Sequence, residues 1–173
     1  MLCLIRVEYM VHFFTVDFNQ IKINIKNKRY RLIGSGSGRR VFDLENGYVV
    51  KVAKNKKGIA QNKAEYKISI GDNSNIFAKI SEVSTNYKFL IMEKAEKIDS
   101  FAEIWDYYNV NSNSQLFRIE DLKDISSKHD LLIPDLIRYK NWGKVNGVPV
   151  IIDYGFTEKV RQKYYGNPFF KLN

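Results

Sequence analysis

The stretch Ile33 to Lys51 reads IGSGSGRRVFDLENGYVVK and sets Gly34, Gly36 and Gly38 among Ser35 and Ser37, ahead of a lysine in an apolar run. Glycine lets backbone approach a phosphate closely and takes φ angles that other residues resist, so such a loop can cradle a phosphate chain. Transfer of a phosphoryl group from ATP needs that cradle and a cation on the phosphate oxygens, fixed by a carboxylate. It also needs oxygen ligands for Mg2+ and a carboxylate facing the nucleophile. Lys51 in YVVKVA is a candidate cation, Glu65 in QNKAEYKI a candidate partner, and Asp153 in IIDYGF a candidate oxygen ligand. Each has a plainer reading beside it: a hairpin loop, a solvated strand lysine (with Lys54 as the alternative register), a surface glutamate on a helix, and a carboxylate capping the turn before Gly155.

These residues need elements to hold them. From Thr15 to Ile33 apolar and polar residues alternate, with Ile21, Ile23 and Ile25 on one side, which is a strand period. VFDLENGYVVKVA gives two strands turned at Asn46-Gly47, where positive φ angles make a tight hairpin. A helix is predicted over about Ile59 to Ile70, with Gly71 as its C-terminal cap. IFAKISEV and YKFLIME form another strand pair around Ser84-Thr85-Asn86. Asp99 or Ser100 can cap a helix through FAEIWDYY, and Ser112 to Ser114 a second through QLFRIEDLKDISS, before a Pro134 breaker. A hairpin turned at Asn146-Gly147 comes next, and VRQKYYGNPFFKLN is basic and aromatic with no clear period. Sheet, then helices, then a small hairpin predicts an α+β fold in two lobes with a hinge near Glu93 to Glu96.

At 173 residues the chain has room for one domain, and its 45% hydrophobic content is enough for a core. The formal charge of +9 attracts polyanions such as nucleic acid, anionic membrane or nucleotide phosphates, while naming none of them. An A/T-rich coding bias toward Lys, Asn, Ile and Tyr explains the same charge. Cys3 is the single cysteine, so there is no internal disulfide and a cytoplasmic location is expected. With His12 and His129 as the only histidines, metal chemistry falls to oxygen ligands. The opening LCLIRVEYMVHFF is too short and too polar to span a membrane and reads as a strand.

Taken in order, these segments resemble the protein-kinase-like superfamily, over roughly Ile33 to Phe156. Gly34, Gly36 and Val41 match the loop G-x-G-x-x-G-x-V, with Arg39 in place of the third glycine, so Arg39 or Arg40 becomes a candidate to meet phosphate. YVVKVA is similar to the strand that carries the phosphate-binding lysine, and the family pairs that lysine with a helix glutamate, here Glu65. YKFLIMEKAEKI resembles the strand entering the hinge, with Met92 as gatekeeper and Glu93, Lys94 and Ala95 as the adenine-facing hinge. Asp153-Tyr154-Gly155 is similar to Asp-Phe-Gly, which implies a metal aspartate. Asp135 precedes Asp153 by eighteen residues, as the catalytic-loop aspartate does in that family. Asn141 then falls where the second metal ligand is expected, one residue late. Carboxylate and amide oxygens both suit Mg2+.

The resemblance implies a single domain over 1–173: an antiparallel β N-lobe with one helix (about 15–92), a hinge (93–96), and a truncated, mainly helical C-lobe with a small β-hairpin (97–173). It places the chain among reduced, atypical members of the kind expected in bacteria or their phages. It implies ATP and Mg2+ as cofactors, Gly34 to Gly38, Val41, Lys51 and the hinge as the nucleotide site, and Asp135 with Lys51 as catalytic residues. Two departures weigh against activity. Ile133-Pro134-Asp135 stands where His-Arg-Asp is expected, and only twenty residues follow Asp153, with nothing resembling a peptide-substrate platform. His129-Asp130-Leu131 breaks the register to Asn141 and is set aside. The alternatives are a catalytically inactive, pseudokinase-type module with a protein partner, and a nucleic-acid-binding protein using Asn27 to Arg31 and Lys159 to Lys171.

Overall fold

In the computed structural model, residues 16–166 are described. The opening segment expected to be a strand lies outside the described residues, as does the end of the basic aromatic stretch. The architecture is α+β, with an antiparallel sheet first and a mainly helical part after it. β1 (Arg31–Ser35), β2 (Arg39–Asp43), β3 (Tyr48–Ala53), β4 (Ile80–Val83) and β5 (Phe89–Glu93) form one sheet in the order β1-β2-β3-β5-β4, antiparallel throughout.

The Thr15 to Ile33 segment departs from its predicted strand. Phe18–Lys26 is a helix, α1, whose first turn is capped by Asp17 accepting from the N–H groups of Asn19 and Gln20. The isoleucine alternation was misleading because 21 and 25 also stand one helical turn apart. Ile21 is buried and Ile25 half-buried against Phe42, Val50, Val52 and Ile91 on the outer face of the sheet, while Ile23 is 50% exposed. Phe18 stacks on Phe89 at 5.8 Å between ring centroids. The helix covers an apolar sheet face that a polar strand at the edge would leave wet, at roughly 1.5–3 kcal/mol for each large side chain fully buried.

Alternation along β3 sorts its residues between two environments. Val50 and Val52 face α1, and Val49 faces the main core with Leu90, Met92 and Ile151. Lys51, buried with 4% exposure, projects on the side away from Val50 and Val52. The β2–β3 turn takes its positive φ angles at Glu45 and Gly47 (60° and 87°), one residue off the predicted Asn46-Gly47 pair. Helix α2 (Lys56–Gly71) is longer than predicted at both ends, starts at the Asn55 cap, and ends into an extended Asp72, so Gly71 is its last residue and not its cap.

Glu93 and Lys94 tie the sheet into the rest of the chain. The Glu93 N–H donates to the Lys79 carbonyl and the Lys94 N–H to the Gly47 carbonyl, both at 2.9 Å. Lys94 Nζ also pairs with the buried Asp43 at 2.7 Å. A second sheet joins β6 (Glu96–Lys97), β7 (Trp142–Val145) and β8 (Val148–Ile151), with the hairpin turned at Asn146-Gly147 (φ 52° and 80°) as predicted. β8 reaches the first half through the Ala78 N–H to Ile151 carbonyl bond, 3.0 Å, and the Ile151 N–H to Ile76 carbonyl bond, 2.7 Å.

Between β6 and β7 lie α3 (Ala102–Tyr108), α4 (Asn113–Leu116), α5 (Glu120–Lys123), α6 (Ile125–His129) and α7 (Ile133–Leu136). α3 has no side-chain cap from Asp99 or Ser100; Glu103 reaches back to accept from the Asp99 N–H. The second predicted helix is divided into α4, α5 and α6, and only Ser112 caps as expected. Short helices gain their stability from packing rather than propensity, and Leu116, Leu122 and Ile125 each plant one buried side chain in the core. Pro134 sits in the first turn of α7, where its missing N–H costs nothing, and so opens a helix instead of breaking one. The basic stretch after Phe156 is also helical, α8 (Glu158–Tyr165), capped by Thr157.

Truncating Ile21 to Ala should lower urea stability by roughly 2–4 kcal/mol, whereas Ile23→Ala should stay within about 0.5 kcal/mol. A strand would set both side chains on one face, so equal losses would refute the helix.

Candidate functional site

The serine-glycine stretch is a hairpin. Gly34 and Ser35 belong to β1, paired with Val41 and Arg40, and only residues 36–38 form the turn, closed by the Gly36 N–H on the Arg39 carbonyl at 2.9 Å. Gly38 packs on the start of α2, where an added Cβ would stand 2.5 Å from Gln61 Oε1 and 3.2 Å from the Gly58 backbone. Gly36 has open space around it instead. The N–H groups of Ser37 and Gly38 have no acceptor among the described residues; Ser37 is exposed and Gly38 is buried against α2.

The turn overhangs a cleft of about 240 Å³ lined by Gly36, Ser37, Gly38, Arg39, Gln61, Asp135, Arg138, Asn141, Asp153, Phe156 and Tyr165. That is below the roughly 300–1,000 Å³ of drug-sized ligand sites, and fits a short polyphosphate chain better than a whole nucleotide. Three stretches far apart in sequence meet there: the loop, the segment from α7 to Asn141, and Asp153-Tyr154-Gly155.

A cluster of ion pairs runs from the cleft wall into the core, buried at Lys51, Glu65 and Arg39 and open to the cleft at Asp153. Lys51 Nζ donates to both oxygens of Glu65 at 2.8 and 2.9 Å and to the Ile152 carbonyl at 2.5 Å. Glu65, fully buried, also accepts from Arg39 Nη1 at 2.8 Å and from the Tyr154 N–H at 3.2 Å. Arg39 then donates Nη2 to Asp153 at 2.5 Å and approaches Asn62 Oδ1 at 3.4 Å. Two cations and two carboxylates balance without any ligand. Burial pulls the Arg39 pKa down, and Glu65 and Asp153 more than offset it, so the guanidinium is held charged. Burial lowers the Lys51 pKa, with Glu65 opposing and Arg39 adding to the fall. Desolvation pushes Asp153 up, but Arg39 and Lys51 prevail and hold it below the usual carboxylate value.

Gly155 has a packing reason. A Cβ there would come within 2.5 Å of the Gln61 carbonyl oxygen and 3.0 Å of Glu65 Cγ, so the Asp-Tyr-Gly turn lies directly on α2. Tyr154 points inward, its hydroxyl donating to the Ala78 carbonyl at 2.9 Å.

Across the cleft, Asp135 sits in α7 with 19% of its side chain exposed and Arg138 Nη1 3.5 Å away. Desolvation raises its pKa, Arg138 works against that, and Asp153 reinforces it. Asn141 ends a short 3₁₀ turn (Tyr139–Asn141) and donates its amide to the Asp135 carbonyl at 2.9 Å. Its own carbonyl receives the N–H groups of Ile152 (2.8 Å) and Asp153 (3.3 Å), which binds the α7 loop to the Asp-Tyr-Gly turn.

The structure therefore brings Gly36, Ser37, Gly38, Asp135, Asn141 and Asp153 together, with Lys51 and Glu65 one layer behind. Gly34, Ser35 and Val41 remain on their strands. Met92 is buried in the core, Glu93 accepts from the Lys79 N–H through its side chain at 2.8 Å, and Ala95 lies against Gly143; none of the three lines the cleft. Lys54 turns away to the Gly36 carbonyl at 2.9 Å, which removes it as the register alternative for the ion cluster. His129 pairs with Asp72 at 2.7 Å, outside the cleft. Arg31 pairs with Asp43, and the described part of the Lys159 to Lys171 stretch is α8.

Gln61, Arg138, Phe156 and Tyr165 line the cleft without an assignment from sequence. Arg138 carried a signal, one helical turn after Asp135. Tyr165 carried none; its hydroxyl meets Ser37 Oγ at 3.0 Å, and its ring packs on Phe156 and beneath Lys57.

A divalent cation at Asp153 and Asn141 does not fit this arrangement. One Asp153 oxygen already carries the Arg39 guanidinium. A divalent ion on the remaining Asp153 oxygen would share that carboxylate with a fixed like charge, which opposes its binding.

No protein-family model matches the chain, and no curated protein sequence matches it. Among solved structures it is similar to the streptomycin–ATP–APH(2")-IIa ternary complex, with a TM-score of 0.44 and 17% identity over 82% of this chain and 72% of that one. No helix among the described residues is long and apolar enough to cross a membrane.

Replacing Glu65 by Gln leaves two buried cations facing one carboxylate. Unfolding in urea should show a loss of roughly 3–5 kcal/mol; a loss below about 1 kcal/mol would mean that the cluster is solvated.

Proposed function

We propose that this chain is a nucleotide-binding protein on a protein-kinase-like plan, taking the phosphates of ATP beneath the hairpin of residues 36–38. The observation that carries this reading is the Lys51–Glu65 pair on β3 and α2, joined through Arg39 to Asp153 under that turn. Three of the four charges, Arg39, Lys51 and Glu65, are buried at a desolvation cost, and the fourth, Asp153, opens with 48% exposure into the cleft; such a cluster beside a cleft is a functional-site signature. An ATP titration followed by thermal unfolding should raise the melting temperature by roughly 5–10 °C at about a hundredfold excess over Kd. No rise at any ATP concentration would end the nucleotide reading.

A second reading, phosphoryl transfer to a hydroxyl acceptor, is favoured by Asp135. Its carboxylate faces the same cleft with a raised pKa, suited to accept the acceptor's proton as the γ-phosphorus–oxygen bond to ADP breaks. Deprotonated Asp135 is the working form, so transfer should increase as pH rises through its elevated pKa. Asp135→Asn should abolish transfer while the ATP-induced thermal shift persists. Absence of transfer in the unaltered protein, with ATP still bound, leaves the pseudokinase-type module.

A further inference from the structure

We infer that Arg39 takes the place of the divalent cation, so that the cleft binds its polyphosphate ligand free of Mg2+. The inference rests on the nucleotide reading above and concerns the chemical form of the ligand.

Arg39 begins β2 immediately after the turn, is 7% exposed, and is among the residues that line the cleft. Its Nη1 is fixed by Glu65 and its Nη2 by Asp153. Guanidinium carries five N–H donors in a planar fork. The contacts to Glu65, Asn62 and Asp153 leave further donors for an anion in the cleft. The guanidinium occupies one oxygen of Asp153, the carboxylate on which a bridging ion would otherwise rest, and Arg39 lines the same cleft as Ser37 and Gly38. Lys51 cannot share that role from its place, since its three N–H bonds end on Glu65 and the Ile152 carbonyl. Arg138, 67% exposed on the opposite wall, supplies a second guanidinium from solvent. Phosphate oxygens entering between Arg39 and Arg138 would find charge-assisted donors on both sides.

Binding of ATP by calorimetry, once with Mg2+ and once with EDTA, tests this directly. The Kd should agree within about threefold between the two conditions. Asp153→Asn, which keeps Arg39 on Glu65 and removes a negative charge from the wall, should preserve or strengthen binding in EDTA. Arg39→Gln, where it folds, should weaken binding in EDTA at least about tenfold. Binding that needs Mg2+ and is lost in Asp153→Asn would overturn the inference and leave the nucleotide site standing. A folded Arg39→Gln that binds ATP in EDTA as well as the unaltered protein would overturn it too. Failure to bind ATP in either condition would remove the nucleotide reading itself, and this inference with it.

Discussion

Everything in the cleft depends on Glu65. A carboxylate with no solvent exposure must find its counter-charges within the protein, and it finds Lys51 from β3 and Arg39 from β2. Through Arg39 it also governs Asp153, and through the Tyr154 N–H it fixes the turn that carries Asp153. One buried group thus sets the relative positions of two strands, a helix and a segment nearly ninety residues further on. Buried ion pairs contribute little net stability compared with apolar packing of the same volume, but losing one partner leaves a charge stranded. The cluster acts as a register device: other packings of α2 against the sheet would leave charges unpaired.

The architecture around it is economical in size. The sheet is walled by α1 outside and by the main core inside, and the second sheet is tied on by the bonds between Ile76, Ala78 and Ile151. Between β6 and β7 the chain uses α-helices only four to seven residues long, each anchored by one buried apolar side chain. The Trp142 indole donates to the Leu136 carbonyl at 2.8 Å and the Asn141 amide to the Asp135 carbonyl at 2.9 Å, so two side chains fasten the short loop to its own backbone. Tyr165 closes the open end by touching the hairpin tip from α8.

Arg39 makes the site unlike the pattern its sequence resembles. With a glycine there, Lys51 and Asp153 would face an open space. With arginine there, the space is partly filled by a fixed positive group whose charge is already shared between two carboxylates. The consequence is a cleft close to neutral before any ligand enters, in which the free donors are guanidinium N–H groups.

Much of this was legible in the residues. The hairpins around Gly47 and Gly147, the α2 helix, the β4–β5 pair and the α+β order follow from local alternation and turn chemistry, which neighbouring residues alone impose. The convergence of Asp135, Asn141 and Asp153 was implied by the resemblance to the kinase-like pattern and by no local period of the chain. Local pattern failed where two periods coincide: Ile21 and Ile25 satisfy a strand and a helix alike, and only the apolar face of β3 and β5 decided for α1. It failed again for α4 to α6, whose breaks come from which side chains the core could admit. The sequence determined that an arginine stands beside the third glycine of the loop. Only the tertiary structure decided that it turns inward to Glu65 and Asp153, because the carboxylates that draw it there are brought within reach by folding and by nothing local to Arg39.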